Sequence, residues 1–146
     1  MDSKNPVDWV EQSVIKSEHA GENLYKGYYR ESILNAVEVA ERLLKACLLQ
    51  VFQNNGEKRR KPTQTHELVT LLRNIRNESF ELELEFFEDT AYFLDKCYKK
   101  LRFPQKRDID EDVKGKLNYE DTLEVLNKVA ELGDFIQTYV EKSRGC

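Results

Sequence analysis

The chain of 146 residues carries 23 basic and 27 acidic side chains for a formal net charge of −4, so bulk charge excludes a wholesale nucleic-acid coat and confines any anion site to a local patch. Apolar residues make up 40% and charged residues 34%, a balance suited to amphipathic helices packed as one domain spanning 1–146. No run of apolar residues is long enough to cross a bilayer, and the opening Met-Asp-Ser-Lys-Asn-Pro has no apolar leader, which predicts a cytoplasmic protein without a membrane segment.

Asn5 followed by Pro6, with Asp8 close behind, combines a capping side chain, a proline suited to the first turn and an acid near the positive helix end. The first helix is predicted to start there and to end at Gly27, with Val7, Val10, Val14 and Ser17 leading through Ala20 and Leu24 as its core-facing line and Trp9 and Ile15 flanking it. The clearest helix follows, from Tyr28 to Phe52. In it Ile33, Ala36, Val37, Ala40, Leu43, Leu44, Cys47, Leu48 and Val51 recur at three-and-four spacing, and the stripe is broad enough to be covered on more than one side. Its polar face places Glu38 four before Arg42 and Glu41 four before Lys45, the order in which acid and base meet on a helix surface.

Gln53-Asn54-Asn55-Gly56 stops this central helix, and Glu57-Lys58-Arg59-Arg60-Lys61-Pro62 reads as an exposed basic loop. Thr63 or Thr65 then caps a short helix with Leu68, Leu71, Leu72 and Ile75 on one side. A long helix is predicted over Phe80 to Leu101, with Leu84, Phe87, Ala91, Leu94, Tyr98 and Leu101 inward, acids early and bases late, ended by Pro104. Residues 105–116 read as a loop. A last helix is predicted over Tyr119–Glu141 with Leu123, Leu126, Val129, Ala130, Gly133, Ile136 and Val140 as its seam. No stretch is read as alternating with period two over a strand's length, so the expected fold is all-α: an up-and-down bundle of four long helices plus one short helix. The three cysteines, Cys47, Cys97 and Cys146, show no CxxC spacing and read as reduced thiols; neither a metal-ligand pattern nor a nucleophile signature is present.

Three segments in this order resemble the HEPN domain, the helical family named for higher eukaryotes and prokaryotes nucleotide-binding. They are Ala40-Glu41-Arg42-Leu43-Leu44-Lys45-Ala46 behind the Gly27-Tyr28-Tyr29 turn, Thr65-His66-Glu67-Leu68, and Arg102-Phe103-Pro104. The resemblance implies a bundle that commonly dimerises and offers two activities. Some members are metal-independent endoribonucleases, often toxins, built on an Arg and a His four to six residues apart. Others lack the pair and partner small nucleotidyltransferases, with a proposed nucleotide site.

A histidine would serve the nuclease as acid or base near neutral pH, with a cation for the phosphorane charge. His19 has no such arginine before it. Arg59 and Arg60 do precede His66 at the right spacing, but Pro62 intervenes, so helical geometry does not hold the pair together. The expected protein is therefore non-catalytic, a homodimer that binds a nucleotide or partners a small nucleotidyltransferase, in a toxin–antitoxin pair among other settings. Lys45 and Arg102 are the candidate phosphate contacts, Glu41 and His66 orient them, and Arg42 and Lys99 complete the candidate nucleotide set; no metal is expected. The alternatives are an endoribonuclease using Arg60 and His66, and a structural interaction module. Tyr25, Tyr28, Tyr29, Tyr92 and Phe93 are expected in the core rather than as stacking platforms for RNA bases.

Overall fold

The computed structural model describes residues 5–62, 64–101 and 111–145. They form α1 (Pro6–Tyr25), α2 (Tyr29–Asn54), α3 (Leu68–Glu78), a 3₁₀ turn (Glu85–Phe87), α4 (Glu88–Leu101), α5 (Glu111–Gly115) and α6 (Tyr119–Ser143), with no strand among the described residues. The all-α bundle is as expected: α1, α2, α4 and α6 are its long members and α3 its short one, to which the structure adds the turn at 85–87 and the single turn of α5. No described helix is long and apolar enough to cross a membrane.

The α2 helix is the axis of the molecule. Fifteen of its 26 residues are buried, from Ser32 to Phe52, and α1, α3, α4 and α6 all pack on it. Glycines at both ends let the chain leave helical geometry: Gly27 precedes α2 and Gly56 follows it, each at φ +81°, a conformation that costs other L-residues about 1–2 kcal/mol. At its last residue, the Asn54 side-chain amide donates to the Tyr139 hydroxyl and to Ser143 Oγ, both at 3.0 Å, and ties α2 to the last turns of α6.

The first helix starts where the sequence places it, with Asn5 Oδ1 accepting from the Val7 amide at 3.1 Å. Its buried face is rotated from the expected line. Pro6, Trp9, Ser13, Ala20 and Leu24 are buried, whereas Val14 and Ile15 are 51% and 53% exposed and Ser17 lies outside. The indole buries more apolar surface than a valine, and Ser13 and Ala20, further along the same face, are small enough to bring α1 close to α2. That closeness is registered by Ser32 Oγ, which donates to the Ala20 carbonyl at 2.8 Å.

Two further corrections concern α3 and α4. Thr65 does not cap α3; its Oγ1 accepts from the Glu67 amide just ahead of the helix, while the first helical amides of Leu68 and Val69 donate to the Asp95 carboxylate of α4 at 2.8 and 3.0 Å. Thr63 lies outside the described residues. The long helix expected from Phe80 begins at Glu88 instead. Residues 80–86 do alternate apolar and acidic, against the expectation that no stretch carries period two, and the pattern also runs against the expected helix. The chain follows it with Leu82 and Leu84 inward and Glu81, Glu83 and Glu85 outward, and departs from it at Phe80, which is 89% exposed. Within the 105–116 segment expected as a loop, Glu111–Gly115 form the turn of α5. The α6 seam is centred on Thr122, Val129, Leu132, Ile136 and Val140, so Ala130 is exposed and Leu132 replaces it; Asn118 caps the helix by accepting from the Asp121 amide at 2.9 Å.

Candidate functional site

Between α1, α2, α4 and the segment before α3 lies a cleft of about 800 Å³ lined by Trp9, Leu34, Glu38, Glu41, Arg42, Lys45, Gln64, Thr65, His66 and Tyr98. It exists because α2 keeps one polar strip along an otherwise buried surface. Glu38, Glu41, Arg42 and Lys45 are spaced by three and four and so share that strip. Trp9 reaches it from α1, His66 from the 64–67 segment and Tyr98 from α4.

Glu41 is the hub. Its Oε2 accepts from Lys45 Nζ at 2.8 Å, and its Oε1 lies 2.8 Å from His66 Nδ1. The Glu41 and Lys45 side chains are only 17% and 13% exposed, so this pair is screened far less than a surface pair. The His66 side chain is 66% exposed, and its ring stacks on Tyr98 with centroids 6.1 Å apart and planes inclined by 27°. Lys45 Nζ also sits 5.8 Å from the centroid of the Trp9 ring. At the outer rim Glu38 pairs with Arg42 at 3.3 Å and with Lys16 at 3.1 Å. The cleft therefore offers cations, two carboxylates and aromatic faces in one concavity, with each of these cations held by a carboxylate.

Of the sequence-designated residues, Lys45, Glu41, Arg42 and His66 meet here. Lys99 does not: it lines a neighbouring cleft with Glu67, Asp95, Lys96 and Lys116, because successive residues on a helix point about 100° apart and Tyr98 takes the direction toward His66. Arg102 lies outside the described residues. The carbonyl that ends α4, that of Leu101, accepts from the guanidinium of Arg30 at the start of α2. Arg60 is turned to another part of the molecule. It pairs with Glu57 at 2.8 Å and Glu78 at 3.0 Å and lies 4.2 Å from the Phe52 ring centroid. His66 is anchored on Glu41, and Phe52 is eleven residues further along α2, roughly 16 Å at 1.5 Å per residue, so the two ends of the Arg60/His66 pair are anchored at separate places within one chain.

Trp9, Glu38, Lys16 and Tyr98 join the site without having been singled out for it. The sequence signal for Glu38 was its spacing from Arg42; for Trp9 and Tyr98 there was none, since an aromatic at helical spacing reads as core. The other aromatic expectations divide. Tyr29 and Phe93 are half-buried, but Tyr25, Tyr28 and Tyr92 are 91%, 55% and 55% exposed.

Titration sets limits on the chemistry. Burial pushes the thiols of Cys47 and Cys97 up to about 12, so neither is a thiolate nucleophile at neutral pH. Asp95 is raised above the ordinary carboxylate value by desolvation, which outweighs the two amides it accepts from.

A bundle of amphipathic helices around a charged, aromatic-walled cleft defines the class, and sequence comparison gives it a family. The sequence model of the HEPN domain matches residues 7–138, and the chain belongs to the HEPN family. Two solved structures share the fold. The crystal structure of TT1696 from Thermus thermophilus is 21% identical with a TM-score of 0.67, covering 93% of this chain and 98% of its own. That of ST0689, described as an archaeal HEPN homologue, is 20% identical with a TM-score of 0.64, covering 94% and 99%. No curated protein sequence matches the chain.

Proposed function

We propose that this HEPN protein is a non-catalytic binding protein that takes a nucleotide in the α1–α2–α4 cleft, with Lys45 and Arg42 facing its phosphates and the base against Trp9, Tyr98 and the His66 ring. The observation that carries the reading is the meeting of Lys45, Arg42 and His66 with two aromatic walls in one cleft of a size that suits a nucleotide. Because Glu41 holds Lys45 and His66, and Glu38 holds Arg42, an incoming phosphate competes with carboxylates already in place. Affinity is accordingly modest in the isolated protein. In this proposal a small nucleotidyltransferase is the natural neighbour, in a toxin–antitoxin pair among other settings, and the protein acts as a homodimer without a metal.

Calorimetric titration with ATP, GTP and a short RNA tests it. Saturable binding of a nucleotide that is lost in Lys45→Ala and weakened in Arg42→Ala supports the site; no binding of any of the three by the wild-type protein removes it. The endoribonuclease alternative is checked in the same preparations by incubating RNA in chelator. Cleavage that disappears in His66→Ala would replace the binding reading with an enzyme.

A further inference from the structure

Of the valines that the sequence marks for the core of α1, Val7 and Val10 reach it only in part and Val14 lies open, so that together they form a seam along the side of the helix. Val7, Val10, Val14, Ser17 and Gly21 follow one another by three and four, the spacing of a coiled-coil contact line, and Tyr25 extends it by one more turn. Val7 and Val10 are half-buried, Val14 is 51% exposed, Ser17 and Gly21 are exposed, and Tyr25 is 91% exposed. Val7 and Val10 pack in part against the core beside Trp9, Ser13, Ala20 and Leu24, and from Val14 to Tyr25 the seam is open to solvent.

Gly21 is the second observation. It lies inside a helix, where glycine is unfavourable, and a Cβ built on it would meet nothing within 4 Å. Its smallness serves no contact within the protein. With Ser17 one turn earlier it leaves a shallow seat on the seam, which is what a second helix needs to approach the backbone closely.

Charge decides the occupant. Glu11, Glu18 and Glu22 are exposed along one edge of the seam at their own helical spacing, and none of them has an ion pair among the described residues. Lys16, the base in the middle of α1, is already held by Glu38 on the other side of the helix. A second copy of α1 would bring the same three acids against these, which disfavours self-pairing here.

We infer that the Val7–Val10–Val14–Gly21 face of α1 is a docking surface for an amphipathic helix of a different protein, whose apolar seam lies on the valines and whose basic flank meets Glu11, Glu18 and Glu22. The inference stands apart from the nucleotide site, since neither shares a residue with the other.

The test uses a fluorescein-labelled synthetic helix of three heptads with leucine at the seam and lysine elsewhere, and its counterpart with glutamate for lysine, followed by anisotropy. The lysine peptide binds the wild-type protein saturably and the glutamate peptide does not. Gly21→Leu fills the seat and weakens binding about tenfold or more while the protein melts higher, a combination that a merely structural glycine would not give. Val14→Asp adds an acid, so loss of affinity for a basic peptide in that variant isolates the apolar contact. Unchanged affinity in both variants overturns the inference. So does sedimentation showing that the protein self-associates and that Val14→Asp abolishes it, which would make a second copy the occupant.

Discussion

Replacing Asp95 by alanine tests how α3 and the cleft are coupled. The Asp95 carboxylate accepts the Leu68 and Val69 amides at 2.8 and 3.0 Å from a different helix, and no side chain of the local sequence caps α3. Each bond to a charged acceptor is worth about 1.5–3 kcal/mol before the cost of taking the carboxylate out of water. That cost is substantial, since desolvation is the leading cause of its raised pKa. The net loss therefore falls on the scale of a helix cap, about 1–2 kcal/mol, and lowers Tm by roughly 3–8 °C. Asp95→Asn keeps one acceptor and costs less. The sign with pH follows from linkage. A carboxyl whose folded pKa lies above its unfolded value of 3.8 binds more protons in the folded state, so its contribution to stability is largest below that value and declines as pH rises through the raised one. The difference in stability between wild type and Asp95→Asn is therefore most favourable to wild type in acid. Because α3 begins two residues after His66, loss of the cap also loosens the His66–Glu41 contact, visible as a change in the His66 ring signals by NMR. Urea unfolding of the three proteins at several pH values provides the comparison. Equal stability of wild type and Asp95→Ala, with an unchanged His66 spectrum, would refute the cap and its coupling to the cleft.

Other substitutions probe the frame. Leu44 is fully buried on the axial helix, so Leu44→Ala costs about 2–5 kcal/mol in urea unfolding. Gly27→Ala, at φ +81°, costs about 1–2 kcal/mol, whereas Gly21→Ala, inside α1 with open space around it, gains roughly 0.5–1 kcal/mol; opposite shifts in Tm separate the two glycines. In a Cys146→Ser background, Cys47 and Cys97, with thiols raised to about 12, react with a disulfide reagent at about pH 8 only as fast as the protein opens.

The sequence alone determined the helical bundle and the axial role of α2, because these rest on periodicity and on local start and stop signals, while the likeness to HEPN domains rested on the resemblance of three short motifs. Asn5-Pro6 at the head of α1, the glycines around α2 and the Glu–Arg and Glu–Lys pairs on its polar strip all act within a turn or two, so the order of residues suffices to find them. The strip itself, with Glu41, Arg42 and Lys45, was legible as a candidate site for the same reason. What faces it was not. Trp9 and Tyr98 reach the cleft, and Asp95 reaches α3, from helices remote in sequence, and periodicity cannot separate an aromatic that walls a cleft from one that fills a core. The rotation of α1 was decided the same way, by whether one buried tryptophan or a row of valines gains more from contact with α2. The alternation in 80–86 shows the converse case: a local signal was present, and the chain leaves the helix there because Leu82 and Leu84 reach the core together only from a backbone that does not continue α4 backwards.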